Sequence, residues 1–213
     1  PSQLTTEALL RRTTALIGDP ERVPYPTTRH LWQARLGRVA EWFAETERAR
    51  QAIARPAHFE IMGHADIPAL GFTLRGKADR IDIDDRGGAH LYDYKTGAAP
   101  TESQQRHFDK QLLLEAAMVE RGAFKDLQPR RTEQAVFVSV ANNPREVPAP
   151  LEEMPAQQVW AEFETLMTRW FEPDRGYTAR AALVREKDLS EYDHLSRFGE
   201  WDVVDEADRE VLE

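Results

Sequence analysis

The chain contains no cysteine, which excludes disulfides, thiolate metal ligands and cysteine nucleophiles. No run approaches the roughly 18 consecutive apolar residues that a spanning helix needs. No basic stretch followed by an apolar one opens the sequence, so neither a membrane segment nor a signal peptide is expected. Positive charge is in deficit: 28 Lys and Arg stand against 37 Asp and Glu, a formal net charge of −9. That argues against a broad basic surface coating nucleic acid, although local positive groups can still act. There is no Gly-x-x-x-x-Gly-Lys-Ser/Thr phosphate loop. His58, His64, His90 and His107 are scattered without zinc-ligand spacing. There is no internal repeat and no low-complexity segment. The first residue is Pro1, with no initiator Met, and the expectation is that the chain is a piece of something longer.

What is present suffices for a folded domain. The 213 residues are 41% hydrophobic and 31% charged, enough for one sizeable core and too apolar for a disordered tail. Residues 4–17 read as a short helix with Leu4, Leu9, Leu10 and Leu16 as its apolar members, stopped by Gly18-Asp19-Pro20. A proline-bearing loop follows, and Thr27 or Thr28 offers an N-cap. Over residues 29–53, Trp32, Leu36, Val39 and Phe43 recur at helical spacing and predict a core-facing stripe. Pro56 forces extended geometry. His58–Met62 reads as a short strand and Phe72–Ile83 as a longer one. Asp85-Arg86-Gly87-Gly88 reads as a turn, and Ala89–Lys95 as the returning strand.

One helix is predicted over residues 102–121, entered near Thr101 or Ser103, with Phe108, Leu112, Ala116 and Val119 inward. Residues 134–140 form a nearly continuous β-branched run, expected as an interior strand. A loop with Pro144, Pro148 and Pro150 leads to a helix over 155–171, bearing Val159, Phe163, Leu166, Met167 and Trp170 on one face. Beyond Gly176 the chain is polar and acidic, with Phe198 and Trp201 as expected anchors. The order of elements predicts an α/β or α+β fold, a central mixed sheet flanked by helices. Three segments are expected: an N-terminal helical part (1–55), a core (56–175) and a C-terminal acidic tail packing on it (176–213).

The hairpin carries the chemistry. Residues two apart in a strand share a face, so Leu91, Asp93 and Lys95 point one way, and Asp79, Ile81 and Ile83 share a face on the other strand. If the loop centres on Arg86, Asp79 lies opposite Asp93, with Cβ atoms about 5 Å apart. A loop centred half a residue away breaks that register. Two carboxylates so close repel unless protonated, paired or bridged by a cation. Hard oxygen ligands at an open site suit Mg²⁺ or Mn²⁺. Lys95 beside them suits a water-orienting or charge-stabilising role. Arg121, Lys125, Arg130 and Arg131 form a basic cluster, of a kind that is mostly solvated surface and could also touch a DNA backbone.

The run Gly76-Lys77-Ala78-Asp79-Arg80-Ile81-Asp82, a turn, then Asp93-Tyr94-Lys95-Thr96-Gly97 and Gln111 resembles the PD-(D/E)XK nuclease superfamily. Within it the chain most resembles the RecB-like nuclease module at the C-terminal end of AddB, a helicase–nuclease subunit. The resemblance implies a restriction-endonuclease-like core and a Mg²⁺- or Mn²⁺-dependent DNA exonuclease acting in recombination and double-strand break repair. It implies Asp79 and Asp93 as metal aspartates, Lys95 as the catalytic lysine, and the backbone carbonyl of Tyr94 as a further ligand. Glu60 resembles an upstream acidic ligand position. Gln111 matches the glutamine of a Gln-x-x-x-Tyr motif that places the DNA, but Glu115 stands at the tyrosine position.

The family's helix histidine has no match at His30 and is expected before Pro1. Without cysteines, no iron–sulfur cluster of the kind some AddB relatives carry is expected. The implied partners are single-stranded DNA and an AddA-like helicase subunit, and the implied location is the bacterial cytoplasm at the nucleoid. The alternatives are a catalytically silent nuclease-fold domain that binds DNA or docks a partner, and a free-standing RecB-like exonuclease.

Overall fold

A computed structural model describes residues 4–176, 193–195, 197, 199–201 and 205–206. The chain divides into two compact units, Pro1–Phe163 and Glu164–Glu213. The first unit opens with helices α1 (Thr6–Gly18) and α2 (Pro26–Ile53). Strands β1 (Ala54–Ile67), β2 (Phe72–Asp84) and β3 (Ala89–Lys95) follow. Helices α3 (Glu102–His107) and α4 (Gln111–Glu120) lead to β4 (Thr132–Ser139), β5 (Arg145–Pro148) and α5 (Ala156–Trp170). The strands form one sheet in the order β1-β2-β3-β4-β5. Only β3 and β4 run parallel, because α3 and α4 occupy the crossover between them. This is the mixed sheet flanked by helices that the order of elements predicts.

The β2–β3 register pairs Ile83 with Ala89 and Arg80 with Tyr92, so the loop centres on Arg86. The turn is built by Asp84, whose Oδ1 accepts from the N–H of Arg86 at 2.8 Å and of Gly88 at 2.9 Å. Gly87 takes φ +85°, and a Cβ on Gly88 would lie 2.6 Å from the Glu133 side chain, so both glycines are required where they stand. The hairpin is therefore specified locally, by turn chemistry together with alternation.

Each face of the sheet has its own cover. Leu91, Asp93 and Lys95 of β3 align with Ala135, Phe137 and Ser139 of β4, on the face covered by α4. Tyr92, Val136 and Val138 lie on the opposite face and pack with Trp42 of α2, Tyr94 and Val140. That second face also holds a buried ionic cluster. Arg80 clasps Asp82 with two hydrogen bonds of 2.6 Å, donates to Glu47 of α2 at 2.7 Å and reaches the Tyr94 hydroxyl at 3.1 Å. Arg50 donates to Glu47 at 2.9 Å and to Glu146 at 2.8 Å. Both guanidinium carbons lie 5.3 Å from the centre of the Tyr92 ring. Burial works against the Glu47 carboxylate, but its bonds to Arg80 and Gln51 outweigh that and hold its pKa below the ordinary value.

Several expectations are corrected. The strand expected at His58–Met62 runs from Ala54 to Ile67, since pairing with β2 extends a run whose own pattern is weak. The proline-rich loop contains β5, an edge strand that tolerates Pro148 at its end. Helix α2 starts at Pro26, a residue suited to a first turn that has no use for its N–H, so neither Thr27 nor Thr28 caps it. Trp32 is 45% exposed, and the inward stripe of α2 begins at Val39. The single helix over 102–121 is two helices. Thr101 forms a capping box with Gln104, but the chain breaks at Phe108–Lys110, leaving Phe108 exposed. Asp109 then accepts from the N–H of Gln111 at 3.3 Å as the second helix starts. In the second unit Leu166 is exposed and Trp201 is partly buried; Phe198 lies outside the described residues. No helix among the described residues is long and apolar enough to cross a membrane.

The ionic cluster sets a stability prediction. Asp82 is 0% exposed and bonded by Arg80, while Glu47 keeps Arg50, so Arg80→Ala strands one buried carboxylate and should cost about 3–5 kcal/mol. The Arg55–Asp85 pair is solvent-exposed on both sides, and Arg55→Ala should change stability by less than about 0.5 kcal/mol. Urea unfolding of the two variants beside the wild type measures the contrast.

Candidate functional site

The site lies where the β2–β3 ladder ends. The last paired residues are Arg80 and Tyr92; Asp79 occupies the next position of that register, facing Asp93 as the arithmetic predicts. There the Asp79 side chain replaces the ladder, with Oδ2 accepting from the Tyr94 N–H at 2.9 Å. A strand-end amide thus fixes the first carboxylate. The second is held from α4: Gln111 Nε2 donates to Asp93 Oδ1 at 2.6 Å. Lys95 Nζ lies 2.8 Å from Asp93 Oδ2, donates to Gln111 Oε1 at 3.0 Å and sits 5.1 Å from the centre of the Phe137 ring. The Ser139 hydroxyl donates to the Gly97 carbonyl at 2.7 Å, tying down the Lys-Thr-Gly turn just past Lys95.

Burial grades across the site. The Asp93 side chain is 5% exposed and the Lys95 side chain 30%, while Gln111 is exposed at the rim. A ligand therefore meets Lys95 and Gln111 before Asp93, while Asp79 is half-buried like Lys95. The structure brings together Asp79, Asp93, Tyr94, Lys95 and Gln111. It does not bring in Glu60. That residue falls opposite Asp79 in the β1–β2 register but is left unpaired there, takes φ +53° and gives its exposed carboxylate to Lys77. The basic cluster after α4 is largely engaged within the chain. Arg121 stacks 4.4 Å from the centre of the Trp160 ring, Arg130 donates to two backbone carbonyls, and Arg131 pairs with Glu133.

Two further groups belong to the site without a role that the residues alone assign. Glu115 is a third acid: it is 6% exposed and accepts from Gln111 Nε2 at 3.1 Å. The signal was its place one helical turn after Gln111. The other is the Glu47–Arg80–Tyr94 chain. Tyr94 accepts from Arg80 through its hydroxyl and donates to Asp79 through its N–H, so the buried cluster supports the site through the sheet. Only the Arg80-x-Asp82 spacing hinted at it.

Burial pushes the Glu115 carboxyl up to about 7; Gln111 and Lys95 work against the rise, and the charges of Asp93 and Asp79 add to it. An ion placed here would meet hard oxygen donors. Asp93 Oδ2 is buried and accepts no hydrogen bond, its only compensation being the neighbouring ammonium. Among the described residues no three His, Cys, Asp or Glu side chains are arranged to hold an ion. A cation would therefore take Asp79, Asp93 and a strand-end carbonyl such as that of Tyr94, and complete its shell with water, as Mg²⁺ commonly does.

The raised Glu115 value has a sign. Between its unfolded value of 4.5 and about 7, the folded protein retains a proton that the unfolded chain releases, so stability falls as pH rises through that window. In the presence of a chelator, Glu115→Gln should remove this dependence. Its stability relative to wild type should grow by a few kcal/mol, as an order of magnitude, between pH 4.5 and 7. A pH-independent difference in thermal unfolding would contradict the assignment.

Comparison with known proteins agrees with this geometry. Residues 2–192 match the PD-(D/E)XK nuclease superfamily. Among curated proteins, the chain is 28% identical over 124 residues to an uncharacterized protein of Rickettsia typhi, covering 54% of this chain and 14% of that protein. It is 29% identical over 100 residues to one of Rickettsia bellii, covering 46% of this chain and 12% of that protein. A Rickettsia conorii protein is 28% identical over 124 residues, 54% of this chain and 15% of its own length. The chain thus matches only about a seventh of the length of these relatives. With the match extending over most of its length, the chain belongs to the PD-(D/E)XK nuclease superfamily.

Proposed function

We propose that the chain is a Mg²⁺-dependent DNA exonuclease module of an AddAB-like helicase–nuclease in double-strand break repair. It would cut single-stranded DNA delivered by an AddA-like partner in the bacterial cytoplasm, at the nucleoid. The observation that carries this reading is the convergence of Asp79, Asp93 and Lys95, with Gln111, at one strand end. The narrower AddB likeness rests on the Arg80-Ile81-Asp82 continuation and the Lys95-Thr96-Gly97 ending. The length of the matched Rickettsia proteins is in keeping with a module set within a larger machine.

Electrostatics favour an ion at this place. Asp79, Asp93 and Glu115 gather at this strand end, where Lys95 pairs with Asp93 and the charge of Lys77 reaches Asp79, so a phosphodiester would meet an acidic site. Asp79, Asp93 and the Tyr94 carbonyl would hold Mg²⁺ or Mn²⁺. When bound, such an ion polarises a phosphoryl oxygen and lowers the pKa of a coordinated water. The protein supplies the rest. The Tyr94 N–H and the Gln111 amide hold the two aspartates in fixed directions. Lys95, at the solvent edge, offers its protons to charge developing on the phosphate, and does so more strongly where the Phe137 ring and the sheet keep water away.

A second reading has its own support. Lys95, Asp93 and Gln111 contact one another without an ion, as would suit a silent domain that binds DNA or docks a partner. Two measurements separate the readings. In the full-length protein with its helicase partner, Asp79→Ala and Lys95→Ala should each lower Mg²⁺-dependent degradation of single-stranded DNA by about 100-fold or more. Wild-type rates from either variant would contradict the enzyme. Calorimetric titration with Mn²⁺ should give binding that Asp79→Ala and Asp93→Ala abolish; no such binding favours the silent domain.

A further inference from the structure

The inward surface of α4 is apolar, with Leu112, Leu113, Ala116, Ala117, Met118 and Val119 buried, apart from one residue, Glu115. A buried carboxyl in that position costs stability, and an apolar side chain would fill it more cheaply. What it touches explains its presence. The two N–H groups of the Gln111 amide have two acceptors, Asp93 Oδ1 at 2.6 Å and Glu115 Oε1 at 3.1 Å. The amide oxygen is thereby left to face Lys95 Nζ at 3.0 Å. A flipped amide would set its oxygen against two carboxylates and its nitrogen against an ammonium, so the orientation is chemically determined.

Gln111 is an exposed, flexible side chain in the first turn of α4. Glu115, one turn along and buried, is the rigid end of the chain of contacts. We infer that Glu115 is a positioning residue: by anchoring the Gln111 amide it fixes the direction in which Lys95 presents its ammonium to the scissile phosphate. This rests on the nuclease reading and adds to it a residue at the position where the family's motif has tyrosine. Glu115 itself makes no contact with substrate in this scheme. Its loss frees the second N–H of Gln111, the amide samples other rotamers, and Lys95 loses one of its two partners for part of the time.

The test uses the full-length protein. Glu115→Ala should lower kcat on single-stranded DNA about tenfold with KM changed less than about twofold. Glu115→Leu, which fills the space, should behave alike. Glu115→Gln, which can still accept from Gln111, should recover most of the rate. In a Gln111→Ala background, Glu115→Ala should cause little further loss, because Glu115 acts only through Gln111. Without metal, acylation of the Lys95 amine, followed by mass spectrometry, should quicken several-fold in Glu115→Ala. Wild-type kcat in both the Ala and Leu variants, losses that multiply with Gln111→Ala, or unchanged labelling of Lys95 would each overturn the role. Lys95→Ala run alongside separates the two readings. If it cuts like the wild type, the nuclease reading fails; if it is dead beside a fully active Glu115→Ala, only the role of Glu115 does.

Discussion

The Arg80 guanidinium is the interaction on which the arrangement depends. It satisfies Asp82 on its own strand, Glu47 on α2 and the Tyr94 hydroxyl on the neighbouring strand. Removing it would leave the buried Asp82 carboxylate without its bonded counter-charge in a low-dielectric layer, at a desolvation cost of several kcal/mol. Its sequence neighbour, Asp79, points to the other face, as adjacent strand residues must. One strand thus places a hydrogen-bonded charge cluster beneath the sheet and a site acid above it. Tyr94 links the two layers, by its hydroxyl to Arg80 and by its N–H to Asp79.

The two clusters differ in how their carboxylates are bonded. Beneath the sheet, Arg50 and Arg80 face Glu47, Asp82 and Glu146 with short, well-directed bonds, and the Tyr92 ring lies against both guanidinium groups. Above it lie three acids, Asp79, Asp93 and Glu115, and a buried oxygen of Asp93 has no hydrogen bond. The first arrangement is complete as it stands and serves to hold the framework. The second leaves that oxygen without a hydrogen bond, the condition expected of a place that takes up a cation together with an anionic substrate.

Much of the hairpin was legible because it is local. Asp85-Arg86-Gly87-Gly88 and strand alternation located the loop centre, and with it the facing of Asp79 and Asp93. The neighbours of the hairpin were less legible, because their placement depends on distant partners. Glu47 and Arg80 are 33 residues apart in sequence and meet only once α2 packs on the sheet. β1 extends well past its own weak pattern because β2 offers it a partner, and the positive φ at Glu60 sends an expected ligand to Lys77 instead. The break at Phe108–Lys110 interrupts a helical pattern that continues in register on both sides. Asp109, a residue that favours helix starts, was its only mark. That break puts Gln111 in a first turn, within reach of the β3 end.

The central claim is that the end of β3 is a metal-bearing nucleolytic site. Anomalous diffraction from crystals of the full-length protein soaked in Mn²⁺ tests it most directly. The account predicts a peak within about 2.3 Å of carboxylate oxygens from both Asp79 and Asp93 and close to the Tyr94 carbonyl. A peak elsewhere, or none at millimolar Mn²⁺ with the Lys95–Asp93 pair still closed, would contradict it.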